Sequence, residues 1–345
     1  MALLEVTDLT VSFSTPDGTL NAVRGLSFTV DEGQTLGIVG ESGSGKSVST
    51  QTIMGLTRGA RVGGQALFEG HDLLTMNTHQ LQAIRGAQVG MIFQDPLSSL
   101  HPYYRVGWQI IEMIRSHDKS TSKAQAKARA IELLRLVGIP QPDRRVSDFP
   151  HQFSGGMRQR AMIAMAMALN PKLLIADEPT TALDVTVQAQ VLQVMKRLQQ
   201  EFGTAIIMIT HDLGVIADVA DDVVVMYAGK AMEHADRNTI FYKHHNPYTE
   251  GLLLSLPAYG GERERLLPIA GQPPSLITLP QGCPFRPRCP YAFDKCMEEP
   301  PLVEIAGDPE HVSACWLPPD MKKREKMRQQ LLDRDKAATA PAAAR

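Results

Sequence analysis

The sequence predicts an α/β protein with a core of parallel β-strands, a small antiparallel sheet at its N-terminus and a helical insertion. Apolar runs at 35–39, 172–177 and 205–210 have the length and composition of buried strands. Helical patterns at 155–169 and 185–202 alternate with the last two runs. Such alternation is typical of a parallel sheet covered by helices. A glycine-rich segment directly after the first run adds a phosphate site to this core.

Residues 1–34 and a later segment predict the antiparallel sheet, here called the flap. Short strand patterns occupy 1–34 around a turn signal, T-P-D-G, at 15–18. A further strand at 65–68 precedes a turn pair, E-G, at 69–70. We expect these strands to lie beside a bound nucleotide.

Residues 40–47, here called the phosphate loop, read G-E-S-G-S-G-K-S and fit the pattern G-x-x-x-x-G-K-S/T between a strand and a helix. The glycines let the backbone turn with its N–H groups pointing inward, and the helix N-terminus adds positive potential. Lys46 is expected to reach the β- and γ-phosphates, and Ser47 to offer an oxygen to Mg²⁺. The other predicted phosphate contacts are Ser42, Gly43, Ser44 and Gly45. The segment predicts binding of a nucleoside triphosphate.

A strand pattern at 89–93 leads to Gln94, and helical patterns then fill 108–138. Apolar residues cluster on one face of the first helical stretch and continue into the second. We therefore expect a helical subdomain over about 95–165, inserted between strands of the core.

The alternation of strands and helices stops after residue 229, where prolines become frequent. All four cysteines lie in this part: Cys283, Cys289, Cys296 and Cys315. We expect no signal peptide and hence no disulfides, so four thiols within 33 residues favour a metal site. Zinc prefers closer cysteine pairs, whereas iron–sulfur clusters tolerate gaps of five, six and eighteen residues. Unliganded thiols in a small core are the alternative. We predict a C-terminal module over 231–320 and a frayed tail over 321–345.

Charge and hydropathy exclude two classes of protein. The formal net charge is −2 and the pI about 6.6, whereas nucleic-acid binders carry a basic surface. The longest apolar run, at 161–169, has nine residues, about half of a membrane-spanning helix. We therefore expect no binding of nucleic acid and no membrane crossing by this chain. Three histidines outside any motif are expected at the surface: His151, His244 and His245.

Further motifs follow the phosphate loop in a characteristic order. They are S-G-G at 154–156, L-L-I-A-D-E at 173–178, A-L-D at 182–184 and H-D at 211–212. In order and spacing they resemble the motifs of the ATP-binding cassette (ABC) ATPases over about residues 1–230. The resemblance implies an ABC-type P-loop NTPase with a RecA-like parallel-sheet core. Phe153 and Met157 depart from the family's usual Leu and Gln, but neither supplies the serine and glycine atoms expected to hold phosphate.

The resemblance also implies roles for individual side chains. Glu178 would orient and deprotonate the attacking water, and His211 would bond the γ-phosphate and brace Glu178. Asp177, Ser47 and Gln94 would hold Mg²⁺, and Gln94 would also reach the water. The implied catalytic residues are Lys46, Gln94, Glu178 and His211.

The remaining implied ATP contacts come from the flap and from a second cassette. Phe13 lies where the family places an aromatic that stacks on adenine, and a core residue of an alternating strand is the equal alternative. In the family, Ser154, Gly155 and Gly156 complete the site of a second cassette, and Asp184 lies across that interface. One phosphate loop and one S-G-G run occur here, so the second cassette must come from another polypeptide.

The C-terminal part narrows the resemblance. Three segments extend the resemblance over nearly the whole chain, to the dipeptide/oligopeptide permease ATP-binding subunits. They are 174–186, H-N-P-Y-T at 245–249 and the cysteine region 282–296. In that family the four cysteines ligate a 4Fe–4S cluster, and Zn²⁺ is the alternative metal. The implied partners are a second, homologous ATPase forming a heterodimer, two transmembrane permease subunits and an extracytoplasmic peptide-binding protein.

This resemblance implies an ATPase that powers uptake of dipeptides or oligopeptides at the cytoplasmic face of a bacterial inner membrane. A sibling importer for nickel, glutathione or antimicrobial peptides is one alternative, because other subunits select the substrate. An ABC ATPase acting on DNA or ribosomes is a weaker one. Such proteins carry long insertions or two cassettes per chain, and neither feature occurs here.

Overall fold

The computed structural model describes residues 2–95, 99–181, 183–256, 268–305 and 307–318. The tail predicted over 321–345 lies outside these residues. The strands are β1 (Ala2–Thr15), β2 (Gly18–Asp31), β3 (Thr35–Val39), β4 (Arg61–Phe68), β5 (His71–Asp72), β6 (Val89–Ile92), β7 (Leu173–Asp177), β8 (Ala205–Thr210), β9 (Asp222–Tyr227), β10 (Lys230–Asp236), β11 (Val303–Ile305) and β12 (Asp308–Ser313).

The helices cover the sheets and build the predicted subdomain. They are α1 (Lys46–Ile53), α2 (Thr78–Ile84), α3 (Val106–His117), α4 (Lys123–Leu136), α5 (Pro142–Arg145), α6 (Gly155–Ala166), α7 (Val185–Phe202), α8 (Leu213–Val219), α9 (Arg237–Tyr242) and α10 (Pro247–Leu254). Single 3₁₀ turns lie at Pro150–Gln152, Arg286–Arg288 and Asp294–Met297. Within the described ranges, no helix combines the length and apolar character that a membrane span requires.

The strands form two sheets. The flap has the order β2-β1-β4-β5, and β1 pairs antiparallel with both β2 and β4. The main sheet has the order β11-β12-β10-β9-β3-β8-β7-β6. Its strands from β9 to β6 are parallel, with β3 between β8 and β9. The predicted parallel core and antiparallel flap are therefore confirmed.

The two faces of the main sheet bury different partners because side chains alternate along a strand. Ile38 and Ile175 face the flap and share a core with Leu4 and Phe28. Their chain neighbours point the other way and share a second core with the covering helices. The molecule is thus layered, with the flap on one face of the main sheet and helices on the other.

Helices α3, α4 and α6 lie between β6 and β7 and form a helical subdomain, whose bounds at about 95 and 165 stay a prediction. Ser122 begins α4 with a capping box, in which its side chain accepts from the backbone N–H of Gln125. Ile110 of α3 and Leu133 of α4 are buried in the core that these helices share. The subdomain therefore packs as one unit with the main sheet.

The C-terminal residues continue the main sheet. Strand β10 pairs antiparallel with β9, and β12 adds to the free side of β10. Tyr248, Leu253 and Phe285 are buried in the same core as the helices that cover the main sheet. A division of the chain near residue 230 stays a prediction, and the hairpin of β9 and β10 crosses that point.

Candidate active site

The phosphate loop leaves the carboxyl end of β3, the central strand, and leads into α1. Its path requires glycine at two positions. A Cβ on Gly45 would lie 2.3 Å from the carbonyl oxygen of Ala22, and one on Gly40 would lie 2.1 Å from that of Met226. Both glycines also have positive φ values, 99° and 151°. The loop is thus held between a flap strand and β9.

Lys46 lies inside this loop and is 4% exposed. Its Nζ donates to the carbonyl oxygens of Gly40 (2.8 Å) and Glu41 (2.9 Å). Burial lowers the pKa of Lys46, while the nearby carboxylates of Glu178, Asp177 and Glu41 act in the opposite direction. The amine is therefore held inside the phosphate loop, and its contact with phosphate stays a prediction.

Ser47 and Asp177 bring two oxygens together at the edge of the sheet. The Ser47 hydroxyl donates to Oδ1 of Asp177 over 2.6 Å, and Asp177 is 3% exposed. Gln51 donates to the other carboxylate oxygen over 3.3 Å. Burial raises the pKa of Asp177, and these two hydrogen bonds lower it. Hard oxygen ligands of this kind suit Mg²⁺. Gln51 was not predicted, although its position four residues after Ser47 places both on one helix face.

Three side chains contact the carboxylate of Glu178. Gln94 and Thr181 donate to its Oε2 over 2.8 Å and 2.9 Å, and Nδ1 of His211 lies 3.5 Å from its Oε1. Glu178 adopts a left-handed backbone with φ of 47°, a conformation that costs about 1–3 kcal/mol and is typical of functional sites. Its backbone N–H donates to Ile209 of β8 over 2.9 Å. The structure thus brings two predicted residues, Gln94 and His211, to the carboxylate of Glu178, and Thr181 is an additional partner.

The S-G-G segment and Asp184 lie at neighbouring helix starts. Ser154 caps α6 by accepting from the N–H of Met157, and Asp184 caps α7 by accepting from Val187. A Cβ on Gly156 would lie 2.6 Å from Val187, so the two starts are in contact. Within the described ranges, no hydrogen bond joins this segment to the phosphate loop. Its action on a second cassette stays a prediction.

Phe13 lies near the tip of the flap hairpin, paired with Leu20, and is half-buried against the flap core. This position is compatible with the alternative that Phe13 is a core residue of an alternating strand. Stacking on adenine stays a prediction.

The four cysteines come close to one another without forming disulfides. The N–H of Cys283 donates to the carbonyl oxygen of Cys296 over 3.0 Å. Burial raises the pKa of Cys289 to about 12, with smaller contributions from the other three thiols. However, no set of three or more His, Cys, Asp or Glu side chains in the described part of the chain is arranged to hold a metal ion. The structure does not support the predicted 4Fe–4S or Zn²⁺ site.

One histidine differs from its prediction. His245 is 4% exposed, not at the surface, because its ring bonds Ser313 (3.0 Å) and the carbonyl oxygen of Leu317 (2.8 Å). Glu233, fully buried beneath it, accepts from the N–H groups of His245 and Asn246 and contacts His311 at 2.7 Å. This network attaches the 245–249 motif to β10 and β12.

Comparisons with known proteins agree with this geometry. The ABC transporter family matches residues 23–181, and the C-terminal region of oligopeptide/dipeptide transporters matches residues 232–296. The chain is 52% identical to the oligopeptide transport ATP-binding protein OppD of Escherichia coli K12, over 92% of this chain and 94% of that protein. It is 50% identical to the dipeptide transport ATP-binding protein DppD of Bacillus subtilis 168, over 91% and 94%.

Solved structures show the same fold. The ATP-binding cassette MJ0796, solved as a dimer in a post-hydrolysis state with ADP and phosphate, superposes with a TM-score of 0.62 at 25% identity. The match covers 68% of this chain and 98% of that one.

Proposed function

Since this chain belongs to the ABC transporter family, in its oligopeptide and dipeptide branch, we propose that it hydrolyses ATP to drive import of dipeptides or oligopeptides. The observation that carries the proposal is the convergence of Gln94, Thr181 and His211 on Glu178, beside the Ser47–Asp177 pair. Peptide as the cargo is supported by the names of the relatives. The proposed location is the cytoplasmic face of a bacterial inner membrane.

ATP hydrolysis requires in-line attack by water and neutralisation of phosphate charge. Ser47, Asp177 and Gln94 would hold Mg²⁺, which when bound neutralises phosphate oxygens. Lys46 contributes a positive charge from within the phosphate loop. Glu178, fixed by its hydrogen bonds, would accept the proton of the attacking water, and His211 would bond the γ-phosphate.

We propose that the permease docks in an apolar groove between the main sheet and the helical subdomain. The groove has a volume of about 400 Å³ and is lined by Met91, Phe93, Met113, Met162 and Met165, among others. Methionine-rich surfaces adapt to an apolar partner segment. Phe93 is 38% exposed and directly precedes Gln94, which bonds Glu178. An occupant of the groove that contacts Phe93 would therefore lie one residue away from Gln94, whose side chain bonds Glu178.

Co-expression with the permease subunits and the second ATPase tests this assignment. The purified complex in vesicles should couple ATP hydrolysis to uptake of labelled peptide. Met165→Glu should reduce co-purification with the permease about tenfold, because a charge would be buried in the groove. Leu302→Glu, which changes an exposed apolar residue elsewhere, is the matched control. Equal co-purification of both variants would remove the groove from the interface, and ATP-independent uptake would contradict the function.

We also propose that Cys283, Cys289, Cys296 and Cys315 hold a 4Fe–4S cluster, with Zn²⁺ as the alternative metal. The proposal is supported by the proximity of the four thiols and by the family resemblance, not by a formed ligand set. The cluster's role would be structural, since the cysteines lie outside the ATP motifs.

Iron, sulfide and zinc analysis of anaerobically purified protein checks this proposal. The cluster predicts about four irons per chain and a broad visible absorption. Cys289→Ser should lose the colour and lower stability and complex assembly before it alters hydrolysis. Stoichiometric zinc without colour would replace the cluster by a zinc site, and a metal-free chain would leave four ordinary thiols.

A further inference from the structure

The C-terminal region contacts the phosphate loop directly, through an ion pair that joins residues 247 positions apart. Arg288 presents two nitrogens to the carboxylate of Glu41, with Nη1 2.5 Å from Oε2 and Nη2 2.9 Å from Oε1. The Arg288 side chain is 5% exposed and that of Glu41 26%. Two parallel charge-assisted bonds fix the orientation of both groups. The second residue of the phosphate loop is thus held by its side chain.

The backbone of Glu41 is held as well. Its N–H donates to the hydroxyl of Tyr248 over 2.9 Å, and Tyr248 is fully buried. Arg288 is fixed in turn, because it donates to Tyr227 (3.2 Å) and to the carbonyl oxygen of Ala270 (2.9 Å). The rings of Tyr227 and Tyr248 lie 4.6 Å apart. Glu41 therefore meets a rigid support built from the C-terminal region.

This support acts on the part of the loop that accepts hydrogen bonds from Lys46. The carbonyl oxygens of Gly40 and Glu41 are the groups to which Nζ of Lys46 donates. The later half of the loop is fixed by α1, which begins at Lys46. The first half has no regular secondary structure of its own, and Tyr248 and Arg288 hold it in place.

Arg288 also neutralises a charge. The Glu41 carboxylate lies in the same loop that is expected to receive a polyanionic phosphate chain. Without a cation beside it, this carboxylate would repel the phosphates. Ordering of the loop and neutralisation of Glu41 both act before nucleotide binds, and preorganisation of this kind raises affinity.

We propose that Arg288 and Tyr248 are positioning residues that preset the phosphate loop, so that affinity for nucleotide depends on the C-terminal region. The proposal rests on the nucleotide site assigned above. It concerns the binding of ATP and leaves the chemistry to Glu178.

The test is a double-mutant cycle on Glu41 and Arg288 in the assembled complex. Arg288→Gln should raise the KM for ATP about tenfold and change kcat less than twofold. Adding Glu41→Gln should restore most of the affinity, because the uncompensated charge is then removed. The KM of Arg288→Lys should lie between those of the wild type and Arg288→Gln, since lysine keeps the charge and loses the two-bond geometry. Tyr248→Phe should raise KM severalfold with kcat retained.

Arg286→Gln is the matched control, because Arg286 lies on the same turn and contacts Met297 instead. An Arg288→Gln variant with the KM of this control, or with lowered kcat and normal KM, would overturn the proposal. If Arg288→Gln fails to fold, Tyr248→Phe and Glu41→Gln carry the same test, and wild-type KM in Tyr248→Phe would then overturn it. A wild-type complex that binds no ATP would contradict the proposed function rather than this inference.

Discussion

Glu178→Gln lowers steady-state ATP hydrolysis by the assembled complex about a hundredfold to ten-thousandfold and leaves ATP binding intact. This range is the usual contribution of a positioned general base. The amide cannot accept the proton of the attacking water, yet it still offers an oxygen to Gln94 and Thr181, which donate to Oε2 in the wild type. The variant should therefore keep the geometry of the site and accumulate a closed, ATP-bound dimer.

The steady-state rate of ATP hydrolysis, measured together with equilibrium binding of ATP, checks this expectation. Lys46→Ala is the contrasting variant, because it removes the cation inside the phosphate loop and should weaken nucleotide binding itself. Hydrolysis at a near-normal rate in Glu178→Gln would remove Glu178 from the mechanism. Loss of ATP binding in that variant would instead assign the carboxylate to the phosphate site.

Gly155→Asp in this chain abolishes hydrolysis at the composite site whose phosphate loop belongs to the partner ATPase. A Cβ on Gly155 would meet no atom of the described residues within 4 Å, so we expect the chain's own fold to tolerate the substitution. Gly156 is unsuitable, because its Cβ would contact Val187 at 2.6 Å. The added carboxylate would face the nucleotide of the partner and repel it, whereas Gly155→Ala is the uncharged control.

Mixed complexes separate action on the partner from action within the chain. Gly155→Asp combined with a phosphate-loop mutant of the partner places both lesions in one composite site and leaves the other intact. Gly155→Asp combined with Lys46→Ala in the same chain damages both sites. We expect residual ATPase activity in the first complex and none in the second. Equal loss of activity in the two complexes, with each single mutant still active, would contradict action on the partner, and an inactive first complex beside an active second one would show that the segment serves its own chain.

The elements of the ATPase core were predictable because their patterns are local. The strands predicted at 35–39 and 205–210 and the helix predicted at 185–202 coincide residue for residue with β3, β8 and α7. Each is a continuous apolar run or a helical stripe with clear ends. Gln94 and His211 beside Glu178 were implied by the family resemblance, and they lie together because the carboxyl ends of parallel strands meet at one edge of the sheet.

The contacts of the C-terminal region were not predictable in this way. Arg288 and Glu41 have no pattern that relates them across 247 positions. His245 was predicted at the surface because it lacks the strand-end context of His211, whereas its ring partner Ser313 lies 68 positions away in the chain. Likewise, neither proline content nor cysteine spacing predicts that Phe285 shares one core with the ATPase helices.

The central place of β3 determines when the nucleotide site can be completed during synthesis. Its neighbours are β8, which begins at Ala205, and β9, which ends at Tyr227. Because a ribosome makes the chain from its N-terminus, β1 and β2 of the flap can pair as soon as both have been made. Strand β3 can pair only after more than half of the protein has been synthesised. Until then an apolar strand and the loop that follows it are unpaired. The segment expected to bind the phosphates is thus open to misassociation in the nascent chain until β8 and β9 have been made.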